Sequence, residues 1–442
     1  MNWKKLVWHG LFTVNALVCV GGWIWLQTLH FQQGIGEGAG QEWSQVVGDF
    51  AAGFAWQILL FTIFLIARNP YFETVICLSR KVWMHRVILF SVAGLMIVHV
   101  ATKLSTIVET GNNTLFSIEV VNRFIEKYPS VEYALFALVL FVPVIGCAQW
   151  NSLKQFHFEW YIGLRMLLYP VFILMFLHLF YGYWNRPMDG IDALYQVYLL
   201  ILSSFVVVYF FFWRIVFPIF CLVRHHYRLD HVEIEQPGIV SWYVRGRHLT
   251  KLPYKPGQFF LVRPLTEGHF IENHPFILSA LPTSRSFRFT IAAVGDFTAE
   301  ADQLLEHTAL MLEGPFGHWT PEAARYDYAI LVGQGIALAG LRPLAEGLLY
   351  DGVRVKLVCF APEGEKILFH NEFVQLQKRW DDRLELDVLE NTVLSPETLA
   401  VQKIEWKRST IFLCGPDARN EVVLAYIRSR GVSTRDLCLE PW

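Results

Sequence analysis

The sequence predicts a membrane α-helical bundle of six spans, followed by a small antiparallel β-barrel and an α/β nucleotide-binding domain. Three observations carry that expectation. Apolar runs of spanning length fill residues 6 to 223. After about Arg228 the runs shorten to strand length, with Gly and Pro between them. From Tyr326 strand-like and helix-like segments alternate, which is the rhythm of a mostly parallel sheet. With 54% hydrophobic and 15% aromatic residues among 442, the chain is too apolar for an ordinary soluble enzyme. The expected domains are 1–228, 229–325 and 326–442.

The six apolar runs are Leu6–Leu29, Asp49–Ala67, Val82–Leu104, Val131–Trp150, Trp160–Tyr183 and Leu194–Val223. Each approaches or exceeds the roughly 20 residues a spanning helix needs. The first is long enough to stay as a span, and no cleavable leader pattern precedes it. Lys4, Lys5, Arg68, Arg80, Lys81, Lys154, Arg224 and Arg228 fall on one side, and the loop 30–48 holds no Lys or Arg. The positive-inside rule then places both termini in the cytoplasm of an integral membrane protein, in a bacterial inner membrane or its eukaryotic equivalent. A net charge of −2 gives nothing to attract nucleic acid. The seven cysteines are scattered without a C-x-x-C, so neither a disulfide framework nor a zinc site is expected.

The third run carries His85 and His99. Fourteen residues make roughly 21 Å along a helix and bring the second ring to within about 40° of the first. One imidazole then lies near each membrane face, on one side of the helix. An ionisable group inside a span is expensive and points to function, and neutral imidazole is an axial ligand for haem iron. Two interfacial histidines that hydrogen-bond to neighbouring helices would read the same way. The fifth run offers His178 near its outer end, so a pair His99–His178 is available. Thirteen residues earlier, where a partner for His85 is wanted, stands Arg165, followed by Met166. The alternatives stay open: Met166 as ligand, a five-coordinate inner haem with Arg165 on a propionate, or no inner haem.

The short runs after Arg228 read as strands at Val232–Glu235, Ile239–Val244, Gln258–Arg263, Phe276–Ala280, Phe287–Ala293 and Ala309–Leu312. In the last third, strands at Tyr328–Val332, Val353–Phe360, Leu384–Leu389 and Thr410–Cys414 alternate with helices at Leu341–Tyr350, Asn371–Arg379 and Ala418–Arg430. Ile330 to Gly340 is a Gly-rich strand-to-helix turn. Its Gly333 and Gly335 let backbone N–H groups reach a diphosphate.

The six spans, the H-x13-H of the third and the Met84-His85-Arg86 at its start resemble the ferric reductase and NADPH oxidase family of membrane flavocytochromes. The soluble half carries the same likeness, so the resemblance covers nearly the whole chain. Pro256-Gly257-Gln258-Phe259 is similar to the family's P-G-Q-F turn, and His274-Pro275-Phe276-Ile277-Leu278-Ser279 to its H-P-F-T-x-S signature. Gly295-Asp296-Phe297-Thr298 matches G-D-F-T, Glu313 to Gly317 matches D-G-P-x-G, and Cys414-Gly415-Pro416 matches C-G-P.

The resemblance implies FAD, haem b and NADH or NADPH as cofactors. His274 and the Gly295–Thr298 turn would meet the FAD diphosphate, and Phe276 would pack near the ring. Gly333, Gly335, Gly415 and Pro416 would meet the nicotinamide nucleotide, with Cys414 positioning it. Trp442 would stack on the flavin and move aside for hydride transfer. His85, His99 and His178 would ligate iron.

Departures stand beside these matches. Arg165 replaces a histidine, and Ile277 replaces a Thr that hydrogen-bonds the ring. Ala337, Ala339 and Gly340 replace Gly, Thr and Pro of G-I-G-x-T-P. No Arg follows Phe360, and Glu363 would repel a 2′-phosphate, which favours NADH. The implied function is transmembrane electron transfer from cytoplasmic NAD(P)H through FAD and haem to an external ferric chelate or dioxygen. Arg186 and Lys103 would attract an anionic chelate, unless they only snorkel. Two other readings are a non-catalytic or partner-dependent membrane haem protein and a flavoenzyme whose spans only anchor it.

Overall fold

A computed structural model describes residues 39–70, 78–108, 130–149, 166–184, 190–267, 272–283, 285–317, 319–415 and 421–440, with a few isolated residues between them. The first apolar run, Arg165, Arg186, Pro416 and Trp442 lie outside the described residues, and His85 is described only as backbone. The chain divides into two compact units, 1–67 with 78–212, and 68–77 with 213–442.

The first unit is helical: α1 Ala39–Ile66, α2 Leu78–Val108, α3 Val131–Gln149, α4 Leu168–Trp184 and α5 Gly190–Phe211. Three helical stretches, Val47–Ile66, Val87–Ser105 and Val197–His225, are long and apolar enough to cross a membrane, and Val131–Gly146 and Leu168–Gly182 are shorter apolar helices. Six spans were expected; three qualify among the described residues. Only 17% of the α2 window and 11% of the last are buried within the protein, so their apolar surface needs a lipid-like surround.

One core joins Trp56, Leu59, Leu60 and Ile63 of α1 to Leu199 and Val206 of α5. There Trp56 Nε1 donates to Ser203 Oγ at 2.9 Å, and Ser203 Oγ donates back to the Leu199 carbonyl. A second core gathers Leu89 and Val92 of α2, Ala137, Phe141 and Val144 of α3, and Val171 of α4.

The second unit opens with a π-helical turn, Phe212–Val216, and α6, Phe217–His225. Strands β1 Arg228–Gln236, β2 Ile239–Arg245, β3 Phe259–Pro264, β4 His274–Ile277, β5 Ser286–Ala292 and β6 Leu310–Phe316 follow, with the short helix α7 Asp296–Ala299 between the last two. The expected antiparallel barrel is seen in its antiparallel strands, as two three-stranded sheets, β1-β2-β5 and β4-β3-β6, and closure is not seen among the described residues. Single bridges, Arg228 to Ala309 and Leu278 to Phe289, connect their edges. Inward residues alternate along the strands, and Trp242, Phe260, Phe287, Phe289 and Leu310 fill the space between the sheets.

The parallel five-stranded sheet has the order β11-β10-β7-β8-β9, from Leu437–Glu440, Thr410–Cys414, Tyr328–Gln334, Arg354–Phe360 and Leu384–Leu389. Helices α8 Leu338–Tyr350 and α9 His370–Arg379 join successive strands on one side. The short α10 Pro396–Ala400 and α11 Glu421–Ser429 belong to the other core. Both faces of β7 and β10 are buried, which is why they read as continuous apolar runs.

Candidate functional site

In the helical unit, His99 and His178 share one arrangement. His99 Nδ1 lies 2.8 Å from the Gly48 carbonyl oxygen of α1, and His178 Nδ1 lies 2.8 Å from the Ser130 carbonyl oxygen at the start of α3. A carbonyl oxygen only accepts, so each Nδ1 carries the hydrogen. In the neutral ring the acceptor lone pair is then on Nε2. A backbone carbonyl on the far nitrogen fixes the tautomer and orientation of a metal-ligating imidazole. With their tautomers set in this way, His99 and His178 would be the residues to hold haem iron, which would supply single-electron chemistry. No cluster of three or more His, Cys, Asp or Glu able to cage a bare ion occurs among the described residues.

The α1–α2 contact that makes the first bond possible depends on Gly48. A Cβ there would lie 2.2 Å from Thr102 Oγ1. Lys103, one turn beyond His99, pairs with Asp49 at 2.7 Å and is 7% exposed. The expectation that it gathers anions is replaced by an ion pair between the buried ammonium and an exposed carboxylate.

In the antiparallel sheets, the His274 ring stacks on Phe297 at 3.9 Å and 6°, and its Nε2 lies 3.1 Å from Glu272. Burial pushes the His274 pKa below the ordinary histidine value, and Glu272 opposes that shift. Pro275 faces outward, while Phe276 packs inward, edge-on to Trp242. Ser279 is fully buried: its Oγ and carbonyl accept from Arg288 at 3.0 Å each, and Thr290 donates to its Oγ at 2.7 Å. Thr298 Oγ1 accepts from the Val294 and Gly295 N–H groups and donates to the Gly295 carbonyl, so this hydroxyl is spent on shaping the turn around Asp296.

Beside Phe297 lies a cleft of about 240 Å³, lined by Trp242, Thr266, His269, Leu304 and Thr308. Thr266 Oγ1 is buried at its edge without a hydrogen-bond partner among the described residues. The stacked His274 and the Gly-led turn at Asp296 fit a flavin nucleotide, and the cleft is lined by other residues beside Phe297.

The nucleotide crevice follows from topology. β7 has β8 and β9 on one side and β10 and β11 on the other, so the connection reverses between β7 and β10. Open α/β sheets bind ligands outside the carboxyl ends of the strands at such a point. Register places Gly333 beside Cys414 there. Gly335 has φ +61° and Gly415 φ +136°, the left-handed region that favours glycine. Gln334 Oε1 accepts from Leu394 N at 2.8 Å and holds the neighbouring loop. Cys414 is 2% exposed, which suits a positioning role. Cys359 is deeply buried and its thiol pKa is pushed up, away from reactivity. Glu365 reaches this turn, its Oε2 3.7 Å from where a Cβ on Gly335 would stand.

Two charge clusters were missed in the sequence. Glu313, 5% exposed on β6, meets Arg68 at 2.8 Å, Arg263 at 3.4 Å and Arg214 of the π turn at 3.6 Å. Arg288 of β5 pairs with Glu372 of α9 at 2.7 Å and lies 4.1 Å from the Phe369 ring centre; Arg342 of α8 joins Glu372 at 2.8 Å. Glu313 was visible only as one letter of a turn motif, and no local spacing announces partners up to 245 residues away.

No family model matches the chain. Dual oxidase 1 of Caenorhabditis elegans is 24% identical over 212 residues, 44% of this chain and 14% of that protein. NADPH oxidase 1 of mouse is 30% identical over 86 residues, 18% of this chain and 15% of that protein; the rat protein is 34% identical over 84 residues. The chain therefore spans only a small part of the length of these relatives. Among solved structures, the FAD/NAD-binding domain of a nitric oxide dioxygenase from Vibrio cholerae has a TM-score of 0.42 at 16% identity, covering 49% of this chain and 98% of its own. A ferredoxin NADP+ reductase from Neisseria gonorrhoeae has 0.42 at 13%, with the same coverage. The chain is thus similar, over part of its length, to NADPH oxidases and dual oxidases.

Proposed function

We propose that the chain is an NAD(P)H-dependent oxidoreductase that passes electrons from the cytoplasm, by way of FAD and b-type haem, to an external acceptor, ferric chelate or dioxygen. The observation that carries the membrane half is the matched pair of Nδ1–carbonyl hydrogen bonds on His99 and His178, which sets each ring in the tautomer whose acceptor lone pair is on Nε2. FAD and haem supply the hydride and single-electron chemistry when bound.

The chain's residues hold and orient. His274 and the start of α7 at Asp296 face the flavin diphosphate, and Phe276 and Phe297 form the wall behind it. Gly333, Gly335 and Gly415 let the nicotinamide nucleotide approach the backbone at the switch point, with Pro416 beside them. Cys414 fixes the floor of that crevice, and Trp442 covers the ring until the donor displaces it. His85 is offered to a second, inner haem.

The departure at Ile277 favours a second reading. With no hydroxyl at the ring, the protein works only with a partner or as a redox sensor. Haem and flavin stoichiometry on purified protein, with reduced-minus-oxidised spectra in NADH and then NADPH, separates the two. Haem reduced by a pyridine nucleotide supports the enzyme. Haem that only dithionite reduces supports the partner-dependent reading, and absence of haem leaves an anchored flavoenzyme.

A further inference from the structure

We infer that the Asp49–Lys103 ion pair is a positioning element that sets the electron affinity of iron held by His99; this rests on the haem reading above. Two successive residues of α1 grip two residues one turn apart on α2. The Gly48 carbonyl takes the His99 Nδ1 hydrogen, and Asp49 Oδ1 takes Lys103 Nζ at 2.7 Å. Residues four apart are neighbours on a helix surface, so the ammonium and the imidazole share one face.

Packing does not require this pair. Well-packed apolar side chains usually hold a buried contact as well as an ion pair or better, because taking charges out of water is costly. Inside an apolar helical unit such groups point to function. The pair is also asymmetric. The Lys103 side chain is 9% exposed, whereas that of Asp49 is 46% exposed. Solvent screens the carboxylate more than the ammonium, so the field at His99 is net positive. A net positive field favours the state of the metal site that has gained an electron. The same two-residue segment also fixes the imidazole through Gly48, so ring orientation and field are set together.

The test is equilibrium redox titration of haem absorbance in the purified full chain, comparing wild type with Lys103→Met, Asp49→Asn and Lys103→Arg. At the wild-type midpoint, where reduced and oxidised forms are equal, Lys103→Met is expected to lower the reduced-to-oxidised ratio by about tenfold to twentyfold for a charge roughly 10 Å away at an effective dielectric of about 20. Asp49→Asn is expected to raise it by a smaller factor, because its carboxylate is the more screened charge, and Lys103→Arg to leave it near one. Opposite shifts are the signature of charge, since loosened packing moves both variants the same way. Unchanged ratios, shifts of one sign, or haem loss in both neutral variants while Lys103→Arg keeps it would overturn the inference. A wild-type chain without haem would instead overturn the reading on which it rests.

Discussion

The Cδ1 atom of Ile277 lies 2.5 Å from where a Cβ on Gly340 would stand, and Trp319 Cζ3 lies 3.6 Å from the same point. Strand β4 thus touches helix α8 through a side chain on one partner and its absence on the other. Two departures from the family pattern, Ile for Thr and Gly for Pro, fill one volume. Gly340→Ala should destabilise the protein by about 1–3 kcal/mol, the usual cost of overpacking. Ile277→Val with Gly340→Ala should recover much of that loss. Thermal unfolding of the four combinations measures the coupling, and strict additivity would refute it.

Glu313 neutralises guanidinium groups from three places in the sequence. Glu313→Gln leaves Arg68, Arg214 and Arg263 around a neutral amide. Removing one partner of a buried pair costs about 3–5 kcal/mol. The variant is expected to show a lower melting temperature and, with β6 disturbed, weaker flavin retention. A surface control, Glu267→Gln, should change neither.

His274 gives a pH dependence whose sign follows from its environment. Its folded-state pKa is depressed, by burial first, below the ordinary value near about 6.5. Between the two values the unfolded chain binds more protons than the folded one. The stability it contributes is therefore present above about pH 6.5 and falls away as pH drops toward the folded pKa. Melting of flavin-free protein between about pH 5.5 and 7.5 should show this slope, and His274→Asn should flatten it. An unchanged slope in the variant would assign the titration elsewhere.

The nucleotide turn is flanked by acid. Glu365 reaches Gly335, and Glu363 is exposed on the loop that follows β8. An acidic group after the second strand suits a free ribose hydroxyl and repels a 2′-phosphate. NADH should exceed NADPH in kcat/KM by about tenfold, equivalent to about 1.4 kcal/mol. The double variant Glu363→Gln/Glu365→Gln should narrow the gap several-fold. Steady-state kinetics with both donors decides, and a preference for NADPH in the wild type would remove the argument.

Much of the carboxyl-terminal half was legible. The expected Leu384–Leu389 and Thr410–Cys414 are the observed β9 and β10, because buried parallel strands are short continuous apolar runs bounded by turn residues. The helix expected from Leu341 begins at Leu338; the small residues of the Gly-rich turn hid its first positions. Barrel closure was not legible, since alternation in β1 to β6 fixes which side chains point inward but not how sheet edges meet. The partner of His178 was foreseen as a metal, whereas its backbone partner Ser130 was not. A carbonyl carries no residue identity, so no letter of the sequence marks it. Ser279 was read as a ligand contact, but its hydroxyl is occupied by Arg288 and Thr290, and only the folded register of β4 and β5 reveals that.

The adjacency of Gly333 and Cys414 has a consequence for biosynthesis. The two residues are neighbours across β7 and β10, yet the ribosome makes one long before the other. The helical unit and both antiparallel sheets have emerged before β10 exists. A nascent chain therefore gains its crevice for the electron donor after the histidines assigned to iron and the antiparallel sheets assigned to flavin have been made.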